Sequence, residues 1–324
     1  MVASGAGLLG GITTEEILSA IRTPADGLQP VIRYVLGAPG KRLRSALLYG
    51  ASRLIDTAPA LRPNVVRAAS LVELLHNGTL LHDDVMDHAR VRRNLPSVNW
   101  LWGDAVAILA GDFLLAAVTD LAVRTGIPSV LTTAVETLIE LVEGQMLEIR
   151  NQGNLDLEEG RYVEIIRKKT ASLMSASCRL GGIVTRGGRT EIAALERFGL
   201  HLGLAFQALD DLRDYTAPTA VSGKETGKDL AEAKVTLPVL AALRRATPSS
   251  RERLCQIFSH AGRERCLEEV RDLLSRLGGF SYTARKARQW IHRALRSLCA
   301  FPPSVARQDL ERIATALLES ARQG

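Results

Sequence analysis

The sequence predicts an all-α protein, and three observations carry that prediction. Apolar residues recur at three- and four-residue spacing along nearly the whole chain, as in Leu71, Leu74, Leu75 and in Leu131, Val135, Leu138, Val142. Strict apolar and polar alternation is nearly absent. Helix-boundary signals fall at intervals that suit about ten or more helices in 324 residues.

The elements follow in order. Residues 1–12 are small and apolar and read as a flexible N-terminus. Thr13-Thr14-Glu15-Glu16 has the composition of a helix start, with a hydroxyl cap and acidic groups in the first turn. Gly37-Ala38-Pro39-Gly40 interrupts the periodicity and separates two helices. Pro302-Pro303-Ser304 precedes a last helix ending near Ala321. The longest polar loop runs from Tyr215 to Asp229 and contains Gly223 and Gly227, a composition that allows movement. Without a Pro/Gly/Ser-rich linker or a low-complexity tract, residues 13–324 read as a single helical domain.

Hydrophobic residues make up 46% of the chain and charged residues 23%, which excludes wholesale disorder and a collagen-like chain. The longest nearly apolar run, Ala105 to Val118, is broken by Asp112 and falls short of the roughly 18 to 20 residues of a membrane-spanning helix, so no transmembrane anchor is expected. Met1 to Gly11 lacks the basic start of a signal peptide, and the expected location is the cytoplasm. Cys178, Cys255, Cys266 and Cys299 have neither zinc-site pairing nor disulfide density and are expected to be buried, reduced thiols. A net charge of +6 suits an anionic partner. With aromatics at 4% and none interleaved with the basic clusters, that partner is not expected to be nucleic acid.

Leu80-Leu81-His82-Asp83-Asp84-Val85-Met86-Asp87 sets three carboxylates into an apolar helical stretch, with Asp83 and Asp87 on one face and Asp84 beside them. Such a group is either a solvated acidic face or a site for hard divalent cations. A second stretch, Ala205 to Asp214, repeats the Asp-Asp-x-x-Asp spacing at Asp210, Asp211 and Asp214. Two matched clusters favour several Mg²⁺ ions holding a polyphosphate. Bases suited to a diphosphate accompany them: Lys41, Arg42 and Arg44, Arg92 and Arg93, Lys168 and Lys169 before Thr170, then Lys224, Lys228 and Lys234. Arginine grips phosphate oxygens as a fork and lysine as a movable point charge. His76 is either a satisfied core histidine or a substrate ligand.

Gly40-Lys41-Arg42-Leu43-Arg44, the run His76 through Arg93, Gly144-Gln145-Met146-Leu147, Lys169-Thr170-Ala171, Gly203 through Asp214 and Lys234-x-Thr236-Leu237-Pro238 together resemble, in this order, the motifs of the trans-isoprenyl diphosphate synthases, or polyprenyl synthetases. The resemblance implies a large helical bundle around a deep central cavity, the isoprenoid synthase type, in a homodimer. It implies about three Mg²⁺ ions per site, with Mn²⁺ able to serve in their place. Asp83, Asp87 and Asp210 would hold the metal, with Asp84, Asp211 and Asp214 in support. Arg92, Lys169, Thr170, Gln207, Lys224 and Lys234 would bind an allylic diphosphate, and Lys41, Arg44, His76 and Arg93 isopentenyl diphosphate. Peripheral membrane contact would accompany product release.

By the same resemblance, an aromatic residue one turn before Asp83 would stop the growing chain. Gly78 and Thr79 stand there and Leu75 lies a turn further, so the expected product exceeds the fifteen-carbon class, at about twenty-five carbons or more on the helical rise per residue. The chain departs from the pattern at Ser45, where proline is common, at Asn94 and Ala233, where glycine is usual, and at Arg213, usually apolar. Gln145 and Glu148 look like exchanged versions of the usual Glu and Gln. The competing readings are a non-catalytic subunit of a heteromeric prenyltransferase, a helical interaction protein, and a cyclase or head-to-head synthase. The first would lose an aspartate motif or the arginine pair, the second has no use for paired aspartate clusters, and the third has none for Lys41, Arg44 and Arg93.

Overall fold

A computed structural model describes residues 11–22, 24–216 and 226–320 of the chain. The described residues are helical apart from turns and one antiparallel pair of two-residue strands, β1 (Val91–Arg92) and β2 (Leu95–Pro96). The chain divides into two compact units.

The first unit comprises Met1–Leu138, Leu173–Gly199 and Ser297–Ile313. Helix α1 (Thr14–Ala20) starts with a capping box: Glu16 N donates to Thr13 Oγ1 at 3.1 Å and Thr13 N to Glu16 Oε2 at 2.9 Å. Helices α2 (Gln29–Gly37) and α3 (Leu43–Ile55) are separated at the expected glycine and proline residues. Helix α4 (Arg62–Met86) is the central element. Ala68, Ala69, Leu71, Val72, Leu74 and Leu75 are all buried, so it is covered all round rather than on one stripe. After β1 and β2 come α5 (Val98–Trp102) and α6 (Asp104–Arg124), which lies along α4. Small residues allow this close approach: a Cβ at Gly111 would fall 2.3 Å from His82 Nε2.

Of the N-terminal segment, residues 1–10 lie outside the described residues, whereas Ile12 is buried with its carbonyl accepting from Arg42 Nη1 at 2.8 Å. Helix α6 corrects the reading of Ala105 to Val118: it spans 21 residues and contains an 18-residue stretch with a mean hydropathy of 2.0, enough by length and composition alone to cross a membrane. Ala107, Ala110, Gly111, Leu114, Val118, Leu121 and Ala122 are buried, whereas Ile108, Leu109 and Val123 are exposed. The cysteines form no disulfide, but only Cys178 is buried; Cys255 and Cys266 are half-buried and Cys299 is exposed.

The second unit comprises Ile139–Ser172, Leu200–Arg296 and Ala314–Gly324. It takes the end of α7 (Pro128–Arg150), then α8 (Glu159–Ile166) and a five-residue π-helical turn, Arg167–Ala171. Helices α9 (Ser172–Val184) and α10 (Arg189–Thr216) follow; α9 beyond Ser172 and α10 as far as Gly199 belong to the first unit, and α10 from residue 200 onward to the second. Short helices α11 (Lys228–Ala231) and α12 (Leu237–Leu243) lead to α13 (Pro248–Ser259), α14 (Leu267–Arg276) and α15 (Gly279–Ser297). The last helix, α16, runs Val305–Ser320 after the two prolines, with residues up to Ile313 in the first unit and those from Ala314 in the second, and Ala321 lies outside the described residues. Gly144 on α7 and Gly203 on α10 admit the backbone of the π turn, since a Cβ at either would fall 2.5 Å from Lys169 N or Ala171 Cα. Residues 217–225 of the loop expected to move lie outside the described residues.

Candidate active site

In the first unit, α4 displays His76, Asp83 and Asp84, with Asp87 at its C-terminal cap. Asp84 is 3% exposed and its Oδ1 accepts from Arg92 Nε at 2.7 Å, with a second Arg92 nitrogen paired to the same oxygen. Asp83 is half-buried and Asp87 exposed. Hairpin β1–β2 turns at Arg93 and Asn94, with φ of 53° and 63°. Two successive left-handed residues make a two-residue hairpin turn whose twist suits the strands, and asparagine tolerates that region better than most residues, so the departure from glycine is conformationally conservative.

This turn presents Arg93 to His76, with Arg93 Nη2 3.2 Å from His76 Nε2. Gly40 lies against the same guanidinium, where a Cβ would come within 3.2 Å of Nη1. Arg42 forms the corner of this segment at φ 43° and donates to Ile12 O, to Thr14 Oγ1 at 2.6 Å and to Leu36 O at 3.1 Å. Burial pushes Arg44 down to about 10, Glu73 opposing and Arg93 adding to the shift. Burial and then Arg44, Arg93 and Arg92 hold His76 well below its ordinary value. It is therefore neutral, with Nε2 as the acceptor from Arg93. The Nε of Arg44 is buried without a hydrogen-bond partner. Lys41 is exposed at the edge of the group.

The sequence reading missed Glu73, a buried carboxylate three residues before His76 that balances Arg44 and Arg93. Ser45 N donates to Glu73 Oε1 at 3.1 Å, a bond that proline at this position could not make. The product-length residues need a correction of geometry. Gly78 does not face open space: a Cβ there would meet Leu115 Cδ2 at 3.2 Å and Gly111 O at 3.3 Å on α6. Thr79 is half-buried, its hydroxyl donating to Leu75 O and His76 O, and Leu75 is buried.

In the second unit, the π turn and α10 build a polar chain. Thr170 Oγ1 donates to Gln207 Oε1 at 2.7 Å, Gln207 Nε2 to Asp211 Oδ1 at 2.7 Å, and Tyr162 Oη to Asp211 Oδ2 at 2.5 Å. Burial, with Asp210 and Glu148 nearby, pushes Asp211 up to about 7 against the pull of these hydrogen bonds. Tyr162 was not picked out from the sequence; it lies on α8, whose spacing reads as packing. Asp214 caps α11, accepting from Lys228 N at 3.2 Å and Asp229 N at 2.9 Å. Asp210 is exposed. Lys169 is ion-paired to Glu148, and Lys234 lies 2.5 Å from Glu232 and 3.8 Å from Glu148. Lys224 lies outside the described residues, and nothing in the structure explains Arg213.

The six aspartates thus fall into two kinds. Asp84, Asp211 and Asp214 are engaged by a guanidinium, by Tyr162 and Gln207, and by backbone N–H groups. Asp83, Asp87 and Asp210 have greater solvent access. Among the described residues no three acidic, histidine or cysteine side chains form a ready cage for an ion.

A family model described as polyprenyl synthetase matches residues 25–277. The chain is 36% identical over 290 residues to a short chain isoprenyl diphosphate synthase of Methanothermobacter thermautotrophicus, covering 88% of each. It is 30% identical over 294 residues to an octaprenyl diphosphate synthase of Escherichia coli, covering 91% of this chain and 90% of that one. The crystal structure of a decaprenyl diphosphate synthase from Rhodobacter capsulatus superposes with a TM-score of 0.87 at 33% identity, over 97% of this chain and 98% of that one.

Proposed function

Because the chain belongs to the polyprenyl synthetase family, we propose that it condenses isopentenyl diphosphate head to tail with an allylic diphosphate. The product is an all-trans polyprenyl diphosphate longer than fifteen carbons. The observation that supports this best is that each aspartate motif is built alike, with solvent-accessible carboxylates beside carboxylates held in place by protein donors. That both motifs serve one allylic substrate follows from their order in the family.

Asp83, Asp87 and Asp210 would hold Mg²⁺, which when bound neutralises the allylic diphosphate and stabilises it as a leaving group. Asp84, Asp211 and Asp214 brace the helices that carry these ligands. Arg92, Lys169, Thr170, Gln207 and Lys234, with Lys224 by motif, bind the allylic diphosphate. Cleavage of its C–O bond leaves an allylic cation. Lys41, Arg44, His76 and Arg93 hold isopentenyl diphosphate so that its double bond forms the new C–C bond, and a proton then passes to the released diphosphate. Neutral His76 adds a hydrogen bond without adding to the charge of three neighbouring guanidiniums. Water must be excluded, since it would capture the cation.

In this reading residues 13–324 act as one prenyltransferase domain in the cytoplasm, with peripheral membrane contact at product release. The longer product is carried over from the family, in which an aromatic side chain at the position of Gly78 or Thr79 would stop the chain; here Gly78 packs against Leu115 of α6. The chain works as a homodimer. One stripe of α7 supports this, with Val135, Ile139, Val142, Met146 and Ile149 all exposed, as do Ile108, Leu109 and Val123 on α6.

The test is to incubate the purified protein with labelled isopentenyl diphosphate, Mg²⁺ and a series of allylic primers, and to size the products. Asp83→Ala and Asp210→Ala should each lower turnover by about 10²-fold or more, several kcal/mol of lost charge stabilisation. Near wild-type turnover in either variant, or products ending at fifteen carbons, would refute the reading.

A further inference from the structure

Glu148 touches groups from two other segments. Its carboxylate on α7 is paired with Lys169 of the π turn and lies 3.8 Å from Lys234, which precedes α12. All three side chains are largely shielded, with relative exposures of 21%, 26% and 17%. Shielding matters, because a charge pair screened little by water has a larger effect on an incoming ion than a surface pair does. Lys234 has a second carboxylate, Glu232, at 2.5 Å. Glu232 is shared with Lys228 at 3.1 Å, so Glu148 is the carboxylate that links the two amines assigned to the allylic diphosphate.

The geometry points to Glu148 as an internal stand-in for the diphosphate. It holds Lys169 and Lys234 until the anion displaces it, and returns when inorganic pyrophosphate leaves. This rests on the assignment of those lysines under Proposed function and adds a residue that sets the affinity of their site. Glu148 is not needed to hold α7 against the π turn. Arg167 pairs with Glu140 at 2.7 Å, Lys168 pairs with Glu143, and the backbone of Lys169 lies against Gly144. Removing the Glu148 charge should leave those three contacts intact. One turn earlier, Gln145 carries no charge and its Oε1 is buried without a partner, so of the three α7 carboxylates that reach the π turn, Glu148 is the one paired with Lys169.

Two consequences follow. An arriving diphosphate must displace a carboxylate, so the wild-type protein binds it more weakly than the two lysines would alone. The same carboxylate competes with bound pyrophosphate and speeds its departure after the C–C bond is made.

The test is calorimetric titration of inorganic pyrophosphate, with excess Mg²⁺, into the full-length protein and its variants. Glu148→Gln preserves size and should tighten binding about tenfold, with the gain shrinking as salt is raised. Glu148→Asp, which draws the carboxylate back by one methylene, should fall between them. In steady-state assays Glu148→Gln should lower KM for the allylic diphosphate and leave KM for isopentenyl diphosphate unchanged, a split that a merely structural brace would not produce. If Lys169→Gln weakens pyrophosphate binding while Glu148→Gln leaves it unchanged or weaker, the lysines hold the anion and the stand-in role is refuted. If replacing Lys169 and Lys234 also has no effect, the assignment of the diphosphate site fails and this inference fails with it.

Discussion

Ala233 adopts φ 53° one residue before Lys234, and Gly153 N donates to its carbonyl at 2.8 Å. A Cβ in the left-handed region is strained, and glycine there is not. Ala233→Gly should raise stability by about 0.5–1 kcal/mol net of glycine's extra chain entropy, read as a higher thermal midpoint; a lower midpoint would mean that the alanine methyl is needed for packing. His76 makes the opposite kind of contribution. Its folded-state value lies well below the ordinary 6.5 because of burial and three guanidiniums. The unfolded chain therefore takes up a proton there first, so stability is present above pH 6.5 and is lost as the pH falls below it. Urea midpoints at about pH 7.5 and 5.5 should fall further in the wild type than in His76→Gln, and parallel losses would contradict the neutral assignment.

At the scale of the element, the π turn Arg167–Ala171 is the part that a mutation can shift as a body. Gly144→Ala would put a methyl within 2.5 Å of Lys169 N, against backbone that cannot swing aside. It should cost about 1–3 kcal/mol by overpacking, and it should raise KM for the allylic substrate because Lys169 and Thr170 move together. Unchanged stability and KM would show that α7 retreats instead. The helices themselves were legible in the sequence because their signals are local: the Thr13 cap, the break at Gly37 to Gly40 and the prolines before Val305. Both aspartate motifs were legible because a four-residue spacing on a helix is itself geometry. Hairpin β1–β2 was not, since strands of two residues give no alternation and its turn is Arg93-Asn94 rather than a familiar Asn-Gly. The π turn leaves no pattern in a five-residue stretch of good helix formers. Glu73 and Tyr162 were hidden for another reason: their partners are 28 and 49 residues away, and only folding reveals that their polar atoms are satisfied.

For the whole molecule, the stripe on α7 carries the oligomer prediction. Ile139 and Val142 are 52% and 60% exposed, an arrangement that a second apolar surface would stabilise. Ile139→Asp combined with Val142→Glu should turn a dimer into a monomer in sedimentation velocity, and a variant that still sediments as a dimer would move the interface elsewhere. The N-terminal segment raises a practical matter of a different kind. Through Arg42, the main chain at Ile12 and the hydroxyl of Thr14 are tied to the turn that carries Lys41 and Arg44. A fusion partner or purification handle placed upstream therefore has a mechanical lead into the turn that carries Lys41 and Arg44, and kinetic constants measured with such a handle in place describe the handle as well as the enzyme.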